Sequence, residues 1–216
     1  MKKIVLMFVA SSMLIACNSK KTSEEAKEVA VPTETSLNYI VNTDASAVNW
    51  SAAKVTKTHN GEVAISEGSF QTEAGKLVAG NFTIDMTSIN DRDLEGAYKT
   101  KFETHIKGAD FFHTDSFKTA KFEITKVEEL TGDANHTHTI TGNLTIKDKT
   151  NSISFPAKVN MVDDKINALA KIEINRNEWN IIWGGSKETN KDVLTKLKDD
   201  LIKDMITFDV NIEASK

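Results

Sequence analysis

From Leu37 to the last residue, the apolar side chains of this chain recur at every second position. Val48 and Trp50, then Phe82, Ile84 and Met86, then Phe122 and Ile124 alternate with polar residues. A period of two belongs to a strand with one apolar face, because successive side chains on an extended backbone point to opposite sides. The pattern continues in Ile140, Leu144 and Ile146, with Gly142 between them, and in Ile153, Phe155, Val159 and Met161. Ala170, Ile172 and Ile174 follow, then Ile206, Phe208, Val210 and Ile212. Turn-forming residues punctuate it at Asn60-Gly61, Ala74-Gly75, Thr131-Gly132-Asp133, Lys147-Asp148 and Asp163-Asp164, as in an antiparallel meander. The prediction is an all-β chain of about eight strands, the number at which a closed barrel fills with side chains or holds one small ligand.

Two stretches break the period. Leu94, Tyr98, Phe102 and Ile106 recur every fourth position after Asn90 and Asp91, which predicts an amphipathic helix with those two residues as caps. A second helix is predicted after Asn190, with Val193, Leu194, Leu197, Leu201 and Ile202 on one face and charged residues on the other. Both are short accessory helices over the barrel ends. Pro156 lies within a strand pattern and implies an edge or a bulge, since proline cannot donate to the ladder.

The N-terminus has another character. Lys2 and Lys3 precede an apolar run from Ile4 to Ile15, closed by Leu14-Ile15-Ala16-Cys17, and Cys17 is the one cysteine of the chain. The run is too short for a membrane span of ~20 residues and has the order of a lipoprotein export signal. Residues 1–16 are therefore expected to be a signal peptide and Cys17 the lipid anchor. Residues 17–36 form the lipidated terminus and a flexible tether, because they lack apolar periodicity, and 37–216 form one barrel domain. With Cys17 consumed by lipid, no disulfide can form. Loss of Lys2 and Lys3 leaves 25 basic against 31 acidic residues, a balance that argues against a nucleic-acid partner. The expected location is the bacterial cell envelope, anchored in the membrane through Cys17, on an outer membrane facing the periplasm or at the cell surface.

Three groups of residues raise chemistry. His136 and His138 would share one face of a strand, but no third ligand stands beside them except Asp133, so no metal site is assigned. His105, Asp110, His113 and Asp115 cluster without a thiol, a Gly-x-Ser-x-Gly elbow or a phosphate-binding loop, so no catalytic residue is assigned and the chain is not read as an enzyme. Trp179 and Trp183, beside Gly184-Gly185, fit either the lip of an apolar cavity or a core that ties the second helix to the barrel.

Several stretches together resemble the YceI-like family. They are Tyr39-Ile40-Val41-Asn42, Ser46-Ala47-Val48-Asn49-Trp50, Thr58-His59-Asn60-Gly61, Ser88-Ile89-Asn90, Thr104 through Phe112, Phe117 to Phe122, Gly142 through Ile146, and Ile172 through Ile181. The resemblance runs from about Tyr39 to Ala214 and implies a lipocalin-like extended barrel that binds a polyisoprenoid or another lipid. Phe102-Glu103 stands where many relatives carry an Arg-Asp pair, so a pyrophosphate-binding arginine does not transfer to this chain. Asp148 replaces a frequent turn glycine, and the helix after Asn190 is an addition.

The expected function is non-catalytic binding or carriage of a long apolar lipid, a polyisoprenoid or an isoprenoid quinone, in the barrel interior. The expected lining is Trp50, Phe82, Ile84, Met86, Phe122, Ile124, Leu144, Ile146, Phe155, Ile172, Ile174 and Phe208. No cofactor is required beyond such a bound lipid. The partners expected are the membrane and the apolar ligand, with a homodimer of barrels allowed by the resemblance. The competing reading is an envelope interaction module whose lining side chains simply fill the barrel, because periodicity does not separate a lined cavity from a packed core.

Overall fold

The computed structural model describes residues 24–198 and 201–216. The expected signal peptide and Cys17 lie outside the described residues. The elements, in order, are β1 (Glu24–Glu25), β2 (Leu37–Val41), β3 (Ala47–Lys54), β4 (Thr58–Glu73), β5 (Lys76–Asp91), α1 (Gly96–Lys107) and β6 (Thr119–Glu129). There follow β7 (His138–Ile146), β8 (Lys149–Val162), β9 (Lys165–Asn175), a 3-10 turn (Arg176–Trp179), α2 (Lys191–Leu197) and β10 (Ile202–Ser215).

Strands β3 to β10 pair in sequence order, each antiparallel to the next, and β10 returns to β3 through Phe208 opposite Trp50 and Val210 opposite Val48. This closes an eight-stranded antiparallel barrel. Strand β2 extends the stave of β3, pairing Tyr39 with Phe70 of β4 and Val41 with Ala214 of β10. Closure leaves no free edge along most of the sheet, which removes the usual site of strand-to-strand aggregation. Two-residue hairpins occur at Ala74-Gly75 and Lys147-Asp148, where Ala74 and Lys147 take positive φ of 47° and 58°, the left-handed backbone such turns require. Pairing of β8 with β9 begins only at Ala157, so Pro156 lies at an edge on that side, where its missing N–H breaks no ladder.

The structure corrects several sequence expectations. Asn60-Gly61 is not a turn but lies inside β4, opposite Ser51 and Trp50. Glycine is needed there because a methyl group would overlap the Asn90 carbonyl oxygen and stand 2.4 Å from Trp50 Cζ2. Helix α1 begins at Gly96, later than the apolar spacing suggested, and Tyr98 is 79% exposed, leaving Phe102 and Ile106 as the residues that face inward. Asp91 does not cap it; its Oδ1 accepts from the Asp93 and Leu94 N–H groups in the preceding turn. Helix α2 ends at Leu197, and Ile202 belongs to β10. The start of α2 is capped as expected, with Asn190 Oδ1 accepting from the Asp192 N–H at 2.9 Å.

Of the expected tether, residues 24–36 run across the outside of the barrel. Glu24 and Glu25 pair with Ser152 and Asn151 of β8, and Lys27 exchanges two main-chain bonds with the Asn143 side chain of β7. Ala30 N–H then reaches Ile124 O of β6. Glu73 Oε1 accepts from the Thr33 N–H and the Ser36 hydroxyl at 2.7 and 2.9 Å. Main-chain bonds of this kind leave no mark on apolar periodicity. The Thr33 and Ser36 donors hold the Glu73 carboxyl below its ordinary value of 4.5. Since the folded state depresses this pKa, the contact is fully present above the ordinary value and is lost as pH falls through the folded one. Hydrogen-exchange protection at Thr33 is expected to be full at about pH 6, well above the ordinary value of 4.5, and to fall only on acidification below that value.

Candidate functional site

The inward faces of the strands do not meet. They enclose a cavity of about 410 Å³ running the length of the barrel. On β5 alone its lining runs from Leu77 to Ile89, a stretch of roughly 40 Å at ~3.3 Å per residue. So modest a volume spread over that length makes a long, thin channel. Its lining is apolar apart from Lys54, His59, His105 and the indole N–H groups.

Eleven of the expected lining residues face this channel: Trp50, Phe82, Ile84, Met86, Phe122, Ile124, Leu144, Ile146, Phe155, Ile172 and Phe208. Ile174 does not. It is 3% exposed, opposite Ile206, in a buried cluster with Trp179 and Ile181. The 3-10 turn that follows β9 brings Trp179 over this end of the strand, so a residue with the right parity is covered before it reaches the lumen. Residues beyond the expected lining complete the wall. Ala168 and Ala170 of β9 keep it wide, and Phe102, His105 and Ile106 of α1, Trp183, Leu197 and Ile202 surround one end. The four-residue spacing of α1 was the signal for Phe102 and Ile106.

The two ends differ. Tyr39, Phe70, Leu77, Ile140 and Ile166 close one end and are all under 9% exposed. At the helix end Lys54, Phe102, His105, Phe112, Trp183 and Ile202 remain half-buried, so the channel opens there.

Glycines keep the aromatic rings against the wall. Gly68 is paired with Phe82, and a methyl group on it would stand 2.8 Å from Phe82 Cδ1; on Gly142 it would stand 2.4 Å from Phe122 Cζ. Each ring therefore lies on glycine backbone instead of projecting across the lumen. Phe70, Phe82, Phe122 and Phe155 form a chain of contacts with centroids 5.1 to 6.4 Å apart, the range of favourable aromatic pairs. Gly68→Ala is expected to push Phe82 inward, lowering stability by about 1–2 kcal/mol and narrowing the channel. Urea unfolding and uptake of an apolar fluorophore by the variant check both effects.

The rim is set by one buried arginine. Arg176, fully buried, donates from Nη1 to Ile181 O at 2.6 Å and Trp183 O at 3.0 Å, and from Nε to Lys203 O at 3.2 Å. Nη2 reaches Ile202 O at 3.4 Å. Burial pushes its pKa down, and the Asp204 and Glu188 carboxylates oppose that shift. The two tryptophans divide the roles left open by the sequence. Trp179 is core, 0% exposed with Nε1 donating to Leu144 O at 3.0 Å, whereas Trp183 stands at the mouth with its ring 4.3 Å from that of His105.

The polar clusters read from the sequence resolve into local pairs. His136 Nδ1 lies 3.0 Å from Asp133 Oδ2, while His138 is buried beside the Thr137 hydroxyl, and desolvation lowers its pKa. His113 Nε2 contacts Ser116 Oγ, whereas His105 Nδ1 is 3.6 Å from Asp110 Oδ2. His105 Nε2 is buried without a hydrogen-bond partner.

The comparisons with known proteins agree with this architecture. Burkholderia cenocepacia BcnA superposes with a TM-score of 0.63 at 18% identity, covering 81% of this chain and 99% of that one. A polyisoprenoid binding domain from Saccharophagus degradans superposes at 0.57 with 12% identity, covering 82% and 97%. The Campylobacter jejuni YCEI protein does so at 0.50 with 17% identity, covering 100% and 99%. No curated protein matches the chain. At these identities the likeness establishes the fold, and the family model for the YceI-like domain matches residues 39–214. The chain belongs to the YceI-like domain family.

Proposed function

We propose that this protein binds and carries a long-chain apolar lipid, of the polyisoprenoid or isoprenoid quinone class, without catalysis. The observation that carries the reading is the long apolar channel of about 410 Å³, inside the ~300–1,000 Å³ range of ligand sites. Each methylene moved from water into such a lining contributes ~0.8 kcal/mol, so a few isoprene units give useful affinity without a charged clamp. The polyisoprenoid binding domain among the structural neighbours supports the same ligand class. The open end offers few polar groups, Lys54, His59 and His105 among the lining, and His105 Nε2 waits there without a partner. That chemistry suits an uncharged head with one hydrogen-bonding oxygen better than a pyrophosphate. The lipid anchor at Cys17 would hold the barrel at the envelope membrane from which such a ligand is drawn.

The test uses two indoles as reporters. Trp50 and Trp183 line the channel and Trp179 does not, so titration with a short-chain ubiquinone analogue should quench part of the tryptophan emission and saturate at one equivalent. No saturable quenching, with the fold intact, would favour an interaction module instead.

A further inference from the structure

At the helix end of the barrel, three side chains far apart in sequence converge. His59 is the second residue of β4, and Asp91 and Asp93 lie at and just beyond the end of β5; the pairing of Gly61 with Asp91 brings them together. His59 Nδ1 is 3.0 Å from Asp93 Oδ2 and 3.9 Å from Asp91 Oδ2. All three ligand atoms lie within 4.8 Å of one another.

Main-chain donors aim both carboxylates. Asp93 Oδ1 accepts from the Asn60 N–H at 2.9 Å, and Asp91 Oδ1 accepts from the Asp93 and Leu94 N–H groups at 3.1 and 2.7 Å. This leaves one oxygen of each facing His59. Asp91 is 0% exposed, and its Oδ2 has no hydrogen-bond partner. The backbone N–H groups on Oδ1 act as the second shell that orients a carboxylate ligand, and they leave the buried Oδ2 turned toward His59.

We propose that His59, Asp91 and Asp93 form a binding site for a divalent cation of the zinc class. Zinc bonds of about 2.0–2.2 Å in a tetrahedron place ligand atoms about 3.3–3.6 Å apart, and the two distances from His59 Nδ1 bracket that value. One nitrogen and two carboxylate oxygens fill three positions and leave the fourth for water, on the side where Asp93 meets solvent. Imidazole among the ligands favours zinc over magnesium or calcium, which prefer oxygen alone. Lys57 Nζ, 3.7 Å from Asp93 Oδ2 and half exposed, is the cation that the metal displaces. The His59 ring lies 4.6 Å from Phe102 of α1, and both line the lumen, so the ion fastens the helix end of the channel wall.

The test is isothermal titration of the full-length chain carrying Cys17→Ser, which removes the one thiol, after chelator treatment. ZnCl₂ is expected to bind one equivalent, MgCl₂ none, and His59→Gln and Asp91→Asn each to weaken zinc at least tenfold. Asp91→Asn retains the oxygen that the turn uses, and circular dichroism of the metal-free variants checks the fold. X-ray absorption of the zinc-loaded chain before these substitutions should show a single imidazole among oxygen ligands, a readout independent of variant folding. The proposal is overturned if the chain takes up no zinc, or if the spectrum shows two imidazoles. It is equally overturned if binding survives both substitutions and is lost in His136→Gln, which would place the ion on the loop before β7.

Discussion

Arg176→Met is expected to lower unfolding free energy by about 3–5 kcal/mol, among the largest losses for any single substitution in this barrel. Methionine approximates the length of the side chain but cannot donate, and the carbonyls of Ile181, Trp183, Ile202 and Lys203 lose their shared partner. Asp204 and Glu188 lose the cation that faces them. Arg176→Lys is expected to recover little, because one ammonium cannot span carbonyls that a planar fork reaches together. Urea unfolding at about 25 °C measures the loss. The other arginine of the described residues is the control. Arg92 pairs with Glu62 at an exposed site, and Arg92→Ala should cost no more than about 1 kcal/mol. Because Arg176 also holds Trp183 O, the variant should bind quinone more weakly even under conditions where it remains folded.

Ala170→Trp is expected to abolish ligand uptake while leaving the barrel folded. Ala170 is half-buried on β9, opposite Ala157 and Val210, and faces the lumen. An indole added there occupies the channel itself. If the interior were a packed core, the same substitution would overpack it and cost about 1–3 kcal/mol or more. In a hollow barrel the ring enters existing space, so stability should stay within about 1 kcal/mol of the parent while quinone affinity falls at least tenfold. Unfolding and quinone titration on one preparation therefore separate a channel from a core, which sequence periodicity could not do.

The barrel was legible because its strands bury one face, and that constraint writes a period of two into the chain. The lining residues from Trp50 to Phe208 followed from parity alone. Ile174 shows the limit: parity places a side chain on the inner face but does not reveal that the turn carrying Trp179 covers it. Tyr98 shows another, since a four-residue spacing describes a helix face without saying how far along the helix the partner surface extends. Gly61 looked like a turn because Asn-Gly usually is one, whereas here the Trp50 ring demands the missing side chain. Residues 24–36 were invisible as a strap because hydrogen bonds to Asn143 and Glu73 hold them, not apolar burial. The convergence of His59, Asp91 and Asp93 depends on the register of β4 against β5, which no local motif encodes.

A channel that carries a lipid should yield that lipid on extraction. The most direct measurement is solvent extraction and mass spectrometry of the protein purified in mild detergent from cells that make it. A noncovalently bound polyisoprenoid or isoprenoid quinone is expected at close to one per chain, absent from the Ala170→Trp variant prepared in parallel. A folded protein that yields no such lipid, and that also excludes added isoprenoid quinone, would contradict lipid carriage.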